Sequence, residues 1–472
     1  MSIAKYPVRN PRTGEVDYHF DLPDHEHLCH VVAHLRQHQP PWALLPVHER
    51  MAALQAWKSA LNRHLPALVE ALTADTGRRH ESVLEAQLIG QSIDRWCQAS
   101  ETFFQETPDR VSTIPFIHIR QDVQPIPVVG VISPWNFPLL LGLIDTLPAL
   151  LAGCSVVVKP SEITPRFIEP LMASIRETPL LRDVLLFIAG DGTTGAQLIE
   201  LVDLVCFTGS VATGRKVYAA CAERFIPCFL ELGGKDPAIV LEGANLEHAA
   251  ASILWGSTVN CGQSCLSIER VYVQESVLEE FLEKLKQRAE NVRLAYPSPE
   301  DGQIGPVISE RQVHILNEHL RDAIEKGARV LTGSTQCENL GGGWYCRPTV
   351  LAGVNHSMKV MTEETFGPII PVMPFRSVEE AIQLANGTIY GLSAAVFAGD
   401  WHTAWRIGQR LEAGAVSINE CALTALVHEG EKQSFKMSGI GGTRMGPAAL
   451  KRFVRQRAFL IKKEPLASPW WF

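Results

Sequence analysis

The apolar positions of the chain follow two periods, and the switch between them divides it. From about Pro46 to Glu106 they recur at helical spacing, as in Leu54, Trp57, Leu61 and Leu65, which predicts scaffold helices with little chemistry of their own. Four short apolar runs follow: Val128-Val129-Gly130-Val131-Ile132, Ser155-Val156-Val157-Val158, Val184-Leu185-Leu186-Phe187-Ile188 and Leu204-Val205-Cys206-Phe207. Runs without polar alternation read as strands covered on both faces, hence parallel. The helical stretches between them predict a doubly wound α/β domain. From Gly234 onward strand and helix alternate again, with Arg270–Val273 as a strand and Val277 to Val292 as an amphipathic helix.

Three stretches break this rhythm. Asn10-Pro11-Arg12-Thr13-Gly14-Glu15 has turn chemistry and predicts a connection between two short N-terminal strands. Val111 to Val123 alternates in part, with Ile117 and Ile119 on one side and His118 and Arg120 on the other; Pro115 within it predicts an edge strand. Pro138 to Val158 is apolar for nearly a membrane span but contains Asp145, Pro148 and two glycines. An Asp at a bilayer centre costs about 2.5–3.5 kcal/mol, so the run reads as a buried helix followed by a strand.

Composition narrows the class. At 472 residues the chain is too long for one simple core, which predicts two or three domains. Hydrophobic residues at 46% and charged ones at 20% are ordinary for a globular enzyme. A net charge of -8 offers no basic surplus for phosphates, so nucleic acid is not an expected partner. Eleven scattered cysteines, an odd number, and an N-terminus that leads into no apolar signal core predict a reducing, cytoplasmic setting without membrane attachment.

Histidines crowd one segment, at His25, His27, His30, His34 and His38. The last three fall four apart, on one face of a helix. No carboxylate or second cluster is spaced to complete a metal site, so the reading is a solvated face and no metal.

The candidate chemistry lies between Glu231 and Cys265. Cys265 follows Gly262-Gln263-Ser264, whose small side chains leave room for a reactant at sulfur and for backbone N–H groups to face a developing oxyanion. Glu231 ends the apolar run Phe229-Leu230 just before Gly233-Gly234, where the backbone can turn and project a carboxylate into a cleft. A thiol and a carboxylate on separate elements suit covalent catalysis followed by hydrolysis. Taken singly, each also fits a buried small hydrophobe and a solvated charge.

Two glycine patterns compete for a dinucleotide. Gly190-Asp191-Gly192-Thr193-Thr194-Gly195 follows a strand and opens a helix, matching the dinucleotide fingerprint. Gly209-Ser210-Val211-Ala212-Thr213-Gly214 does the same, with Ser210 able to cap its helix and reach a pyrophosphate. Arg215-Lys216 after Gly214 supplies no metal-binding hydroxyl, which excludes a nucleoside-triphosphate loop.

Six motifs in order extend these sites over nearly the whole chain: Pro134-Trp135-Asn136-Phe137-Pro138, Lys159-Pro160-Ser161-Glu162, Phe207-Thr208-Gly209-Ser210, Glu231-Leu232-Gly233-Gly234-Lys235, Gly262-Gln263-Ser264-Cys265 and Glu364-Thr365-Phe366-Gly367-Pro368. In them the chain resembles the aldehyde dehydrogenase superfamily. The resemblance implies a Rossmann-like coenzyme domain (1–106, 126–233 and 439–454), an α/β catalytic domain (234–438) and a small β oligomerisation arm (107–125 and 455–472) in a homodimer or homotetramer. Arg457 to Ile461 would pair in that arm, and Trp470-Trp471-Phe472 would pack in a subunit interface.

The resemblance implies NAD(P)-dependent oxidation of an aldehyde to a carboxylic acid through a thiohemiacetal and a thioester. Cys265 is then the nucleophile, Glu231 the base for the hydrolytic water, and Asn136 with the Cys265 N–H the oxyanion donors. Gly209, Ser210 and Gly214 would contact the coenzyme, with Gly190 as a neighbouring wall. Lys159 and Glu162 would hold the adenosine ribose, where Glu162 favours NAD and Lys159 leaves NADP open. Glu364 and Phe366 resemble the residues that fix the nicotinamide ribose and ring. Trp135, Phe137, Leu141 and Leu266 would flank the reacting atoms and line an apolar channel, and Asn136 equally suits a turn between prolines.

The chain departs from the family at Glu431-Lys432-Gln433-Ser434, where the family has a Pro-Phe-Gly-Gly-rich run, so its substrate mouth cannot be borrowed. Two rival readings stand beside this one. A coenzyme A-acylating dehydrogenase is disfavoured by Glu231, and a catalytically silent protein on the same fold is disfavoured by the intact Asn136, Glu231 and Cys265.

Overall fold

A computed structural model describes residues 5–104, 108–114 and 116–463. Strands β1 (Lys5–Arg9) and β2 (Val16–Asp21) form the N-terminal hairpin around the Asn10–Glu15 turn. Three long helices follow: α1 (His25–Leu44), α2 (Val47–Thr76) and α3 (His80–Phe103). The helical spacing is realised as packing, since Leu54, Trp57 and Leu61 of α2 are buried in one core with Ile89 and Ile93 of α3. On α1, His30 is exposed, whereas His34 and His38 are half-buried rather than fully solvated.

The alternating segment is two strands instead of one. β3 (Arg110–Val111) and β4 (Ile117–Pro125) are separated where the Ser112 N–H turns back to the Ile117 carbonyl at 2.8 Å. β4 pairs antiparallel with the closing strand Val454–Lys462, from Val454↔Pro125 to Lys462↔Ile117. Pro115 and Trp470-Trp471-Phe472 lie outside the described residues.

The first large sheet is built from the four apolar runs and one more strand. Its elements are β5 (Val128–Ile132), α4 (Pro138–Leu143), α5 (Thr146–Ala152), β6 (Ser155–Lys159), α6 (Ile168–Arg176), β7 (Leu185–Phe187), α7 (Gly192–Ile199), β8 (Leu204–Thr208), α8 (Val211–Glu223) and β9 (Cys228–Glu231). The order is β9-β8-β5-β6-β7, all parallel, with Gly439–Ile440 added antiparallel at the β9 edge. Every residue of β5, β6 and β8 is buried, which explains why these runs carry no polar alternation. Strand order reverses between β5 and β8, and open α/β sheets take their ligands at such a point, beyond the carboxyl ends of the strands.

The apolar run Pro138–Val158 holds two short helices before its strand, not one. Between them Asp145 is buried, with one carboxylate oxygen 2.6 Å from Arg444 and the other 2.9 Å from Arg452. The two guanidinium groups hold its carboxyl below the usual range against the opposing effect of burial. This triad ties the returning C-terminal segment to the first sheet.

After β9 the chain crosses to a second sheet through β10 (Asp236–Val240), α9 (Leu246–Thr258) and β11 (Ile268–Gln274). Seven strands lie in the order Arg329–Thr332, Thr349–Ala352, Ile369–Phe375, β11, β10, Ser393–Phe397 and Ala415–Ile418; only the first is antiparallel. The amphipathic helix expected at Val277–Val292 spans Leu278–Glu290, with Phe281, Leu282 and Leu285 buried on its inner stripe.

Candidate active site

Three backbone turns meet where the two sheets join. Cys265 sits beyond a tight turn after α9 in which Asn260, Cys261 and Gly262 are all left-handed, with φ of 55°, 57° and 69°. The Gln263 side chain locks the turn, since its amide donates to the Asn260 carbonyl at 3.0 Å and its oxygen accepts from the Ile308 N–H at 2.9 Å. A side chain at Gly262 would lie 2.4 Å from the Gly367 backbone, so Gly262 is the residue that lets this turn meet the Thr365–Pro368 segment.

The paired glycines after Glu231 have a comparable cause. A Cβ on Gly233 would fall 2.4 Å from the Glu364 carboxylate, and one on Gly234 would fall 2.6 Å from the Cys265 carbonyl. Their bare backbones therefore bring the end of β9, the Cys265 turn and Glu364 against one another. The Gly234 N–H also donates to Glu364 Oε1 at 3.0 Å. Burial pushes the Glu364 carboxyl up to about 8.

Asn136 follows β5 and is 3% exposed. Its Nδ2 donates to the Gln263 carbonyl at 3.0 Å, two residues before Cys265, and the second hydrogen of that amide remains for another acceptor. Its own carbonyl accepts from Arg78 at 2.6 Å and from the Asn260 side chain at 3.0 Å. Asn136 is thus a fixed donor as well as a turn residue. Arg78 also covers the Phe137 ring, with its guanidinium carbon 4.5 Å from the centroid. Phe137 and Leu266 are half-buried and Leu141 is buried.

The carboxylate of Glu231 accepts a hydrogen bond from Ser434 Oγ at 2.9 Å and lies 3.9 Å from Lys432 Nζ. Both partners belong to the atypical stretch Glu431–Ser434, and neither was visible as a partner in the sequence. Burial pushes the Cys265 thiol up to about 12; the Lys432 cation opposes that shift, while the carboxyls of Asp236, Glu231 and Glu364 add to it.

A buried ion pair also escaped sequence reasoning. Lys235 and Glu269 meet at 2.7 Å with side chains 0% and 2% exposed. Lys235 also donates to Thr365 Oγ1 at 2.7 Å, and Glu269 accepts the backbone N–H groups of Thr365 and Phe366, each at 2.7 Å. The pair holds Phe366 in its left-handed conformation, φ 53°, with its ring edge-on to Trp135 at 5.4 Å. Only its position just after the Gly233-Gly234 pair signalled Lys235, and nothing signalled Glu269.

Lys159, Gly190, Gly209 and Ser210 lie at or just beyond the carboxyl ends of β6, β7 and β8. Lys159 ends β6 and pairs with Glu162 at 3.3 Å. Asp191 caps α7 by accepting from the Thr194 N–H at 2.9 Å, and Gly190 packs against that threonine, where a Cβ would fall 2.4 Å away. Ser210 caps α8 and is exposed at its N-terminus, where unpaired N–H groups favour an anion. A Cβ on Gly209 would strike the Phe207 ring at 2.6 Å, and one on Gly214 would strike Leu232 at 2.6 Å. Gly214 therefore has a packing reason of its own, the close seating of α8 on the chain after β9.

The sequence model described as the Aldehyde dehydrogenase family matches residues 1–459. The Mycolicibacterium smegmatis protein named "Putative succinate-semialdehyde dehydrogenase (NADP(+))" is 35% identical over 439 residues, covering 92% of this chain and 84% of its own. The solved structure of the Anabaena variabilis "Putative Aldehyde Dehydrogenase PutA" superposes with a TM-score of 0.98 at 57% identity, over 99% of this chain and 100% of its own. Betaine aldehyde dehydrogenase of Staphylococcus aureus, solved in complex with NAD+, gives a TM-score of 0.92 at 30% identity, over 99% and 93%.

Proposed function

Because this chain belongs to the aldehyde dehydrogenase family and carries out NAD(P)-dependent oxidation of aldehydes, we propose that Cys265 is its nucleophile, Glu231 its hydrolytic base and Asn136 its oxyanion donor. The observation that carries this reading is the contact of Gly234 with the Cys265 carbonyl, which presses the base-bearing strand against the nucleophile turn.

The Cys265 thiolate attacks the aldehyde carbon and forms a thiohemiacetal, whose oxyanion takes the free hydrogen of the Asn136 amide and the Cys265 N–H. The nicotinamide coenzyme, when bound, accepts the hydride that converts this adduct to a thioester. Glu231 then removes a proton from water, the water attacks the thioester carbon, and the carboxylic acid leaves as the thiol re-forms. Lys432 lies beside Glu231 and counters the burial of Cys265, so it favours the anionic form of the thiol.

The residues at these strand ends suit a dinucleotide. The N-terminus of α8 at Ser210 receives the pyrophosphate beside Gly209, with Gly190 as a wall. Lys159 and Glu162 receive the adenosine ribose; Glu162 repels a 2′-phosphate, so NAD is preferred to NADP. Glu364, Phe366 and Trp135 frame the nicotinamide end. Phe137, Leu141 and Leu266 line the path of the aldehyde.

The three segments implied for the coenzyme domain and the span 234–438 follow the crossing and return of the chain between the sheets. The arm joins subunits into a homodimer or homotetramer: Phe459 and Leu460 on its closing strand are 41% and 71% exposed, and such side chains favour cover. Among the described residues no helix is long and apolar enough to cross a membrane, and the cytoplasm is the proposed location. Mixing enzyme, NAD and an aldehyde gives a burst of NADH followed by steady turnover without coenzyme A. Full activity in Cys265→Ala is the result that would sink this assignment.

A further inference from the structure

The histidine row on α1 has no part in the oxidation chemistry. In sequence it lacked a carboxylate, and the fold supplies one. His34 and His38 turn toward Asp183, which lies just before β7, and one donor atom from each of the three residues lies within 4.8 Å of the other two. His34 Nε2 is 3.4 Å from Asp183 Oδ1. The two imidazoles stack with centroids 4.2 Å apart and planes tilted by 38°. His38 Nδ1 bonds the His34 carbonyl one turn back, at 2.8 Å. That bond fixes its tautomer and leaves Nε2 with a free lone pair, the arrangement that metal-binding imidazoles use. On Asp183, Oδ2 faces Arg182 Nε at 3.5 Å, so Oδ1 is the oxygen on the histidine side.

A four-coordinate ion with bonds of about 2.0–2.2 Å holds its ligand atoms roughly 3.4 Å apart. The His34–Asp183 separation already has that value, and the His38 donor atom lies within 4.8 Å of both. We propose that His34, His38 and Asp183 form a binding site for one divalent transition-metal ion of borderline character, Zn2+ or Co2+, with solvent completing its coordination. Two imidazoles and one carboxylate select that class, whereas Mg2+ and Ca2+ require oxygen ligands throughout.

The site's place in the fold separates it from the oxidation chemistry. Asp183 lies at the edge where the strands begin; Lys159 and Ser210 lie at the opposite edge, where they end. The bound ion would tie α1 to the start of β7, as the Arg36–Asp203 pair at 2.7 Å ties the same helix to the start of β8. It therefore acts on stability, and the proposal holds whether or not Glu231 is the base.

The test uses the full chain, stripped with chelator and alkylated at Cys265 so that the thiol does not compete. Titration with Co2+ followed in the visible, and with Zn2+ by calorimetry, should give one equivalent per chain. The expected spectrum has weak d–d bands without the near-ultraviolet band of a cobalt thiolate, and Zn2+ should raise the melting temperature. His38→Ala and Asp183→Asn should each weaken binding by about ten- to a hundredfold, and His30→Ala should leave it unchanged. His34→Gln and His38→Gln serve as milder variants whose fold is checked by circular dichroism. Unchanged affinity in folded variants, binding marked only by thiolate bands, or no saturable binding by the wild-type chain would each overturn the proposal.

Discussion

The segments that carry Cys265 and Glu231 pack against each other through Gly234, but the two residues are held in opposite ways. The nucleophile turn is fixed by backbone: two non-glycine residues and Gly262 in left-handed conformation, the Gln263 amide bonded on both sides, and Gly262 pressed on Gly367. Among the described residues, the Glu231 carboxylate is held by two side chains, one hydroxyl and one ammonium from a neighbouring loop. The contrast matches the tasks proposed for them. A nucleophile gains from a fixed line of attack, and a base that serves only the second half of the cycle can leave Ser434 when water arrives at the thioester.

The contrast predicts a graded series of effects. Cys265→Ala should lower NADH formation by at least about a thousandfold, since no other group can take its place in the covalent step. Glu231→Gln should keep the first burst of NADH, about one per active chain, and slow the steady rate by roughly 10²- to 10⁴-fold. A steady rate equal to wild type would move the base elsewhere.

Gly262→Ala forces a methyl into the Gly367 backbone at a positive φ and should cost about 2–4 kcal/mol in denaturant unfolding. Ser434→Ala removes one hydroxyl donor to a carboxylate, a bond of about 1.5–3 kcal/mol; because the proposed base gives that bond up before it acts, thioester hydrolysis should change by less than about tenfold without altering the burst. A larger fall would mean that the base is as tightly fixed as the nucleophile.

The sign of the pH dependence follows from the thiol. Its pKa is raised to about 12 by burial, so the neutral form dominates near pH 7 and the thiolate fraction grows as pH rises. Iodoacetamide inactivation should accordingly accelerate from neutral into alkaline pH with no plateau in between. Lys432→Met should slow it further at each pH, and Lys432→Arg should restore it. An inactivation rate flat above pH 7 would show that the thiol is already ionised.

Fold and site were legible to different depths. The buried strands could be read because continuous apolar runs have few other uses. The break at Asp145 could not, because its cause is a pair of arginines about three hundred residues away. Gly233-Gly234 stood out as a turn and Gly262 as part of a small-residue run before Cys265, yet what packs against them, Glu364, the Cys265 carbonyl and Gly367, emerged only with the fold.

Sequence by itself determined the residue types of the reaction, the order of the motifs and the alternation of strand and helix. Local chemistry decides these: periodicity sets burial, and small residues let the chain turn just before the thiol. Only the tertiary structure decided that Lys432 and Ser434 hold Glu231, that Glu269 sits beneath Phe366, and that Asp183 completes the ring of ligands with His34 and His38. A charge removed from water needs a partner, and which partner it finds depends on the path of the whole chain, a quantity that no local window contains.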